Sequence, residues 1–265
     1  MKSADEVRAY WDHRAEEERG KPQATTNDVW LRELEVKTFE REIAAASGIP
    51  GSVLDIGCGD GSTVLRLART MPDRTFYGLD YSANMIELAM TALDAEEDDV
   101  RSRVEFGVGD ATQLGDSIGD RRFDVVTSDR CLINLTTADA QYGAIESIAG
   151  VLNDGGTYLA VENFVDGQNA LNLAREALGL PPIAIRWHNL FFDESVFVKE
   201  CRQWFSSVEL VDFSSTYYLV TRVAYSALCM AEGSEPDYEH PLHQIATELP
   251  ATGSFSPIKL ARLRR

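Results

Sequence analysis

The sequence predicts an α/β fold: an open, doubly wound sheet with helices on both faces. Two observations predict it. Between residues 51 and 162, apolar runs of strand length alternate with stretches of helical spacing, the pattern of successive βαβ units. Each strand-like run also leaves a polar cluster at its C-terminal end, and the acids in those clusters are Asp55, Asp80, Asp110 and Asp129. Ligands of open α/β sheets bind at that edge, where the strand order reverses.

The first strand, ending at Asp55-Ile56, turns through Gly57-Cys58-Gly59-Asp60-Gly61. Glycines there permit φ > 0 and remove the Cβ that would block a ligand, and the following helix start offers unpaired N–H groups. Residues 63–71 carry Val64, Leu65, Leu67 and Ala68 at helical spacing. Arg74–Asp80 reads as the second strand. Its terminal acid lies about twenty positions beyond the glycines, where dinucleotide folds bind ribose hydroxyls. Ser82 is an N-cap for a helix over 82–95, with Met85, Ile86, Leu88 and Ala89 inward. Val104–Val108 is a third strand, ending at Gly109-Asp110-Ala111, and 123–127 a fourth, ending at Ser128-Asp129-Arg130. Upstream, 27–46 forms a helix with Val29, Leu31, Leu34, Val36, Phe39 and Ile43 as its apolar stripe, leaving Asp28 and Arg32 to face the cleft.

The segments VLDIGCGDG (53–61), GLDYS (78–82), GDATQL (109–114), FDVV (123–126) and VLNDGGTYLAVE (151–162) resemble, in that order, the class I S-adenosylmethionine-dependent methyltransferases. A nicotinamide enzyme would more often show Gly-x-Gly-x-x-Gly and would not need the later series. The resemblance covers roughly residues 1–215 and implies a Rossmann-like, seven-stranded sheet in a single domain. Its expected parts are an N-terminal helical lid (1–50), a cofactor core (51–165) and a substrate-side insertion (166–200). The remainder (201–265) holds strands six and seven at 206–213 and 255–263, around a helical insertion at 217–253 with helices at 222–232 and 238–248.

The resemblance also implies roles toward S-adenosylmethionine. Asp55 anchors the cofactor loop, and Gly57, Gly59 and Gly61 allow close approach. Asp80 pairs with both ribose hydroxyls, and Tyr81 lies against the adenine. Asp110 accepts from the adenine amine, with the Ala111 N–H beside it. Arg14, in Tyr10-Trp11-Asp12-His13-Arg14-Ala15, grips the cofactor carboxylate; the alternative for this segment is an amphipathic surface helix with its aromatics packed inward. Asp129 stands where the fourth strand opens into the site, a position whose use varies within the family.

Methyl transfer is an in-line displacement that needs an oriented acceptor and, for a hydroxyl, a base. Two segments suit an acceptor: 130–135 (RCLINL) and the stretch from Glu162 to Phe192. His188 is the first candidate base because an imidazole takes a proton near neutral pH, and Glu162 is its rival. Arg130, Asn134, Asn163, Arg175, Trp187 and Asn189 are the candidate substrate contacts. Asn169, Asn172, Arg186, Phe191 and Phe192 stand near them, and Leu171, Leu178 and Leu180 mark a short helix closed by Gly179. Aromatic faces beside amides suit a sugar. RCLINL, VENFVDGQNALN and RWHNLFFDE are similar to a subgroup of these methyltransferases linked to glycan and polysaccharide assembly. In halophilic archaea such enzymes are associated with methylated sugars of N-linked glycans, including hexuronic acids. The expected activity is thus transfer to an oxygen, hydroxyl or carboxylate, of a sugar in a glycan or glycolipid precursor. The alternatives are a quinone, phenol or amine acceptor, or a non-catalytic cofactor-binding partner subunit. Tyr217, Tyr218, Arg222 and Tyr225 are further candidates to reach the acceptor, while Arg262, Arg264 and Arg265 read first as a solvated end, with contact to an anionic lipid head or lipid pyrophosphate as the alternative.

Composition narrows the partners. With 265 residues, 44% hydrophobic, the chain has material for one large core. Its net charge of −18 argues against nucleic acid, whose phosphates need a basic footprint. Lysine occurs only at Lys2, Lys21, Lys37, Lys199 and Lys259, and many acids with few lysines fit a halophilic solvent. Cys58, Cys131, Cys201 and Cys229 are scattered, as reduced thiols rather than zinc ligands. The start MKSADE lacks a signal region and no apolar run reaches the roughly 18 residues of a span, so a cytoplasmic location, with peripheral membrane contact at most, is expected.

Overall fold

The computed structural model describes residues 3–17, 26–46 and 51–265. Parts of the expected lid, 18–25 and 47–50, lie outside them. The chain runs α1 (Ala4–Glu17), α2 (Val29–Ala45), β1 (Gly51–Ile56), α3 (Ser62–Thr70), β2 (Arg74–Asp80), α4 (Ala83–Asp94), α5 (Asp98–Arg101) and β3 (Val104–Val108). It continues with α6 (Leu114–Ile118), β4 (Phe123–Asp129), α7 (Ala138–Val151), β5 (Leu152–Asn163), α8 (Val165–Ala177) and α9 (Glu194–Cys201). The last elements are β6 (Ser207–Val211), α10 (Ser215–Tyr218), α11 (Tyr225–Glu232), α12 (Pro241–Thr247) and β7 (Ile258–Arg264).

The seven strands form a single sheet in the order β3-β2-β1-β4-β5-β7-β6. β1 through β5 are parallel, and β7 enters antiparallel between β5 and β6. This is the α/β arrangement of class I methyltransferases. The order reverses between β1 and β4, where Ile56 pairs with Ser128. The crevice above that pair is the natural ligand site.

Alternation of side chains along the strands builds two cores. Val53, Val125, Leu159, Val161 and Leu260 face one side, under α2, α3 and α4. Leu54, Ile56, Val126, Tyr158, Ala160 and Leu263 face the other, against α7 and α9. Burial on both faces explains why the central strands read as nearly continuous apolar runs.

Caps set the helix starts. Ser82 accepts from the Met85 N–H, Thr137 from Ala140, Asp193 from Val196 and Asp28 from Leu31. Gly233, at φ 70°, ends α11.

Several boundaries differ from expectation. β4 runs on through Asp129, because its pairing with β5 continues to Val161. β7 starts at Ile258, since Pro257 has no N–H to give the ladder. The helix over 222–232 starts earlier, as α10, and Leu219–Ala224 between α10 and α11 is a π-helix. Such wide turns often occur at functional sites. The short helix around Leu171 is a longer one, α8, starting at Val165.

Candidate active site

A cleft of about 530 Å³ opens at the C-terminal ends of β1, β2, β4 and β5. It brings together Arg14, Gly57, Gly59, Asp80, Tyr81, Asp129, Arg130, Asn134, Asn163, Trp187, His188 and Asn189 from the expected site. Glu162, Asp55, Gly61, Asp110, Ala111 and Arg175 are not among its lining residues.

On the β1–β2 side, Gly57, Gly59 and Gly61 have φ of 72°, 55° and 75°. A Cβ on Gly57 would stand 2.5 Å from Cys131 Sγ, and one on Gly61 would stand 2.6 Å from Phe106 Cζ. Gly57 therefore lets β1 and β4 approach, and Gly61 lets α3 pack on the sheet. Asp80 Oδ2 accepts from the Gly59 N–H at 3.0 Å, and Oδ1 from the Ser82 N–H at 2.9 Å. Desolvation raises the Asp80 pKa to about 6, against the pull of those two bonds. Each carboxylate oxygen keeps a further lone pair for an O–H donor, so the cradle suits a ribose diol. Asp55 lies beneath this floor, taking the Thr127 hydroxyl at 2.6 Å, and burial raises its pKa to about 7. It shapes the loop from below. Asp110 Oδ1 accepts from the Thr112 N–H and hydroxyl, at 2.8 and 2.7 Å, and shapes its own turn.

α1 lies across the opening. The Ser82 hydroxyl donates to Asp12 at 2.6 Å, the Trp11 indole donates to Asn134 Oδ1 at 3.3 Å, and the Tyr81 hydroxyl donates to the Val7 carbonyl at 3.5 Å. The Tyr10 ring stacks on His188 with centroids 4.6 Å apart.

The β4 exit is held by charge. Arg130 is the non-glycine residue with positive φ, 50°, among the described residues. Its N–H donates to the Val161 carbonyl at 2.7 Å, and Asn134 Nδ2 donates to its own carbonyl at 2.8 Å. Its guanidinium meets Glu35 at 3.0 Å and Asp129 at 3.4 Å, while Arg32 pairs with Asp129. Glu35 is wholly buried, which raises its pKa. Asp28 accepts from the Tyr217 hydroxyl at 2.6 Å and from Arg222.

Glu162, the rival base, is fully buried below the cleft. It accepts from the Ser128 hydroxyl at 2.9 Å and from the Leu132 and Ile133 N–H groups at 3.0 and 3.3 Å. Desolvation raises its pKa to about 7. These three bonds fix the turn after β4, and neither Arg130 nor Arg175 is its partner. Arg175 donates to the Pro181 carbonyl at 2.8 Å and to that of Arg222, so it ties the insertion together. Asn172 does similar work through Ile183.

His188 is 6% exposed and ringed by Tyr10, Trp11 and Trp187. Its Nδ1 is buried with no hydrogen-bond partner, and so is Asn163 Oδ1. Burial first, and then the Arg186 charge, lower the His188 pKa below 6.5. The imidazole is therefore neutral, able to accept, at neutral pH. Glu35, Gln168 and Tyr238 were not foreseen at or beside the cleft. Glu35 stands one turn beyond Arg32 on α2, which was the available signal.

Tyr218 and Arg222 reach the cleft, but Tyr225 stacks instead on His240, 4.4 Å between centroids. Arg262 is held by Glu42 and Glu209, and Arg265, though exposed, donates to the Leu152 carbonyl. All four cysteines are free thiols. Among the described residues no group of three His, Cys, Asp or Glu could hold a metal, and no helix is long and apolar enough to cross a membrane.

Fold and cleft together define the class I methyltransferase architecture, for which S-adenosylmethionine is the expected cofactor. Residues 53–156 match the family described as a methyltransferase domain. Demethylmenaquinone methyltransferase of Leptospira interrogans is 36% identical over 110 residues, 42% of each chain. The enzyme of that name from Roseiflexus castenholzii is 30% identical over 146 residues, 51% of this chain and 57% of that one. The chain thus spans about half the length of the curated relatives it matches. Among solved structures, magnesium protoporphyrin IX methyltransferase of Synechocystis with bound S-adenosylhomocysteine superposes with a TM-score of 0.60 at 17% identity, covering 99% and 100% of the two chains. A complex of the Haloferax volcanii Trm112 methyltransferase activator and a putative methyltransferase gives 0.60 at 19% identity, covering 97% and 96%. At these identities the likeness is one of fold.

Proposed function

We propose that the protein is an S-adenosylmethionine-dependent methyltransferase that methylates a hydroxyl of a polyhydroxylated small molecule, with a sugar of a glycan precursor as the leading acceptor. The observation that carries the acceptor reading is the pair of unmet acceptor atoms in the cleft, His188 Nδ1 and Asn163 Oδ1. Buried polar atoms without partners are costly. Two of them in one cleft favour a ligand that brings O–H donors. When bound, the cofactor supplies a sulfonium methyl group. In this reading Asp80 and the glycine loop hold its ribose, and Arg14, which lines the cleft, meets its carboxylate. Neutral His188 takes the hydroxyl proton on Nδ1 as the acceptor oxygen forms its bond to carbon. Tyr10, Trp11 and Trp187 hold the acceptor ring and exclude water. Glu162 positions the turn that carries Arg130 and Asn134.

A quinol is the second reading, favoured by the names of the sequence relatives. A quinol also brings O–H donors, but only two, fixed at opposite ends of a planar ring, whereas a sugar brings several in adjustable positions. The test is incubation of the purified chain with methyl-labelled S-adenosylmethionine and parallel panels of glycosides, nucleotide sugars, hydroquinones and amines. Ether-linked label on a saccharide supports the leading reading. Label on hydroquinones alone overturns it in favour of the second. Failure to bind S-adenosylhomocysteine in calorimetry overturns both.

A further inference from the structure

The cleft reaches well beyond the cofactor loop. In the sheet order β5 lies two strands from β1, and β7 three. Asn163 at the end of β5 pairs with Ile258 at the start of β7, and both line the cleft. Neighbouring strands are about 4.8 Å apart, so this end of the cleft lies about 10–14 Å across the sheet from the glycine loop.

Four segments close around it. Gln168 and Leu171 come from α8, Ile183 from the irregular stretch 180–190, Tyr218 and Arg222 from α10 and the π-helix, and Tyr238 from the segment before α12. Direct contacts tie them into one compartment. Gln168 Nε2 donates to the Ile183 carbonyl at 2.9 Å, and Arg175 on α8 donates to the Arg222 carbonyl. The Arg222 guanidinium lies 4.8 Å from the centre of the Tyr238 ring and 5.7 Å from that of Tyr218. Leu171 is fully buried and Tyr238 is 43% exposed, so the compartment runs from a packed wall to an open rim.

The charge here is matched. Arg222 pairs with Asp28, and exposed Asp237 and Glu239 flank Tyr238 at the rim. An anion entering at this end would meet those carboxylates and find Arg222 already taken. The other walls are aromatic and aliphatic. The Tyr218 hydroxyl and the Gln168 amide oxygen have no hydrogen-bond partner among the described residues. Aromatic faces beside unmatched polar atoms fit a ring that is apolar on its faces and hydroxylated at its edge. We propose that this compartment is a second acceptor subsite, holding an uncharged sugar ring joined to the ring that is methylated. Tyr238 takes the face of that second ring, and Tyr218 and Gln168 take its hydroxyls. The acceptor is then at least a disaccharide unit, and its remote ring supplies binding energy that orients the reacting hydroxyl. The inference rests on the sugar reading and adds the length of the acceptor and the neutrality of its second ring.

The test is a saturation-transfer NMR titration of the full chain in the presence of S-adenosylhomocysteine. The probes are glucose, galactose and mannose, the neutral disaccharides cellobiose, maltose, lactose and mannobiose, and digalacturonic acid as the charged comparison. The expected result is at least one neutral disaccharide that binds about tenfold or more tighter than either of its constituent sugars, with digalacturonic acid weaker than that disaccharide by a similar factor. Tyr238→Ala should remove most of the disaccharide gain while the affinities for the single sugars and for S-adenosylhomocysteine stay as they were. Disaccharides no tighter than their single sugars overturn the second subsite and leave the sugar reading in place. A gain that survives Tyr238→Ala intact, or digalacturonic acid as tight as the best neutral disaccharide, also overturns the proposal. Binding of S-adenosylhomocysteine with no sugar of either length bound overturns the sugar reading and this proposal together, and absent binding of S-adenosylhomocysteine overturns the methyltransferase reading itself.

Discussion

The Gly59 N–H donates to Asp80 Oδ2 at 3.0 Å, which makes the glycine loop and the acid at the end of β2 one hydrogen-bonded unit. The proposed ribose contact and the loop shape therefore depend on the same carboxylate. Asp80→Asn keeps the size but removes the charge and half of the acceptor capacity. Affinity for S-adenosylhomocysteine should fall roughly tenfold to a hundredfold, with an unchanged far-ultraviolet circular dichroism spectrum. Unaltered affinity in calorimetry would remove Asp80 from the cofactor site.

The buried acids give the free protein an unusual pH response. Asp55, Asp80 and Glu162 have folded pKa values of about 7, 6 and 7, all raised chiefly by desolvation. Between the unfolded values near 4 and these folded values, the native state binds more protons than the unfolded chain. These groups therefore stabilise the fold as pH falls through 7 and 6, and the gain is lost as pH rises again. The thermal midpoint of the cofactor-free protein should rise from pH 8 to about pH 5.5. Cofactor affinity should move the opposite way, falling below about pH 6 as Asp80 protonates. A midpoint that drops steadily across this window would contradict the desolvated assignment.

His188 and Glu162 separate in their mutational signatures. His188→Gln should lower kcat by roughly 10²–10⁴ with cofactor affinity little changed. Because burial and Arg186 lower the imidazole pKa, the acidic limb of the wild-type rate profile should lie below pH 6.5. Wild-type-like turnover in His188→Gln would end the base assignment.

Glu162→Gln should act on stability. The new amide faces either the Ile133 N–H or the donors from Ser128 and Leu132, so a buried donor loses its partner. The expected loss is about 1–3 kcal/mol in denaturant unfolding, with a smaller stability gain on acidification than the wild type shows. Unchanged stability accompanied by a collapse of kcat would instead make Glu162 the base.

The β1–β2 side of the cleft, which the proposal gives to the cofactor, was legible in its geometry because local rules write it. Glycines at positive φ, an acid at a strand end and an N-capping serine each leave a mark within a few residues, as Gly57, Asp80 and Ser82 do. The acceptor half depends on contacts far apart in sequence. Tyr10 meets His188, Arg130 meets Glu35, and Asp28 meets Arg222. Their place at and after the end of the fifth strand raised Glu162 and Arg175 as candidates for the cleft, but which way a side chain turns is decided by tertiary packing. Arg175 found carbonyls in the insertion, and Glu162 found the N–H groups of a turn. The π-helix that presents Arg222 carries no periodic signal that sets it apart from an ordinary helix.

α1 rests on Ser82 through Asp12 and on His188 through Tyr10. Under the proposed function, one helix would therefore stand beside both ligands, and loosening it at either support would be felt at the other. A helix of this length is marginal when detached, so α1 depends on these two supports for its place.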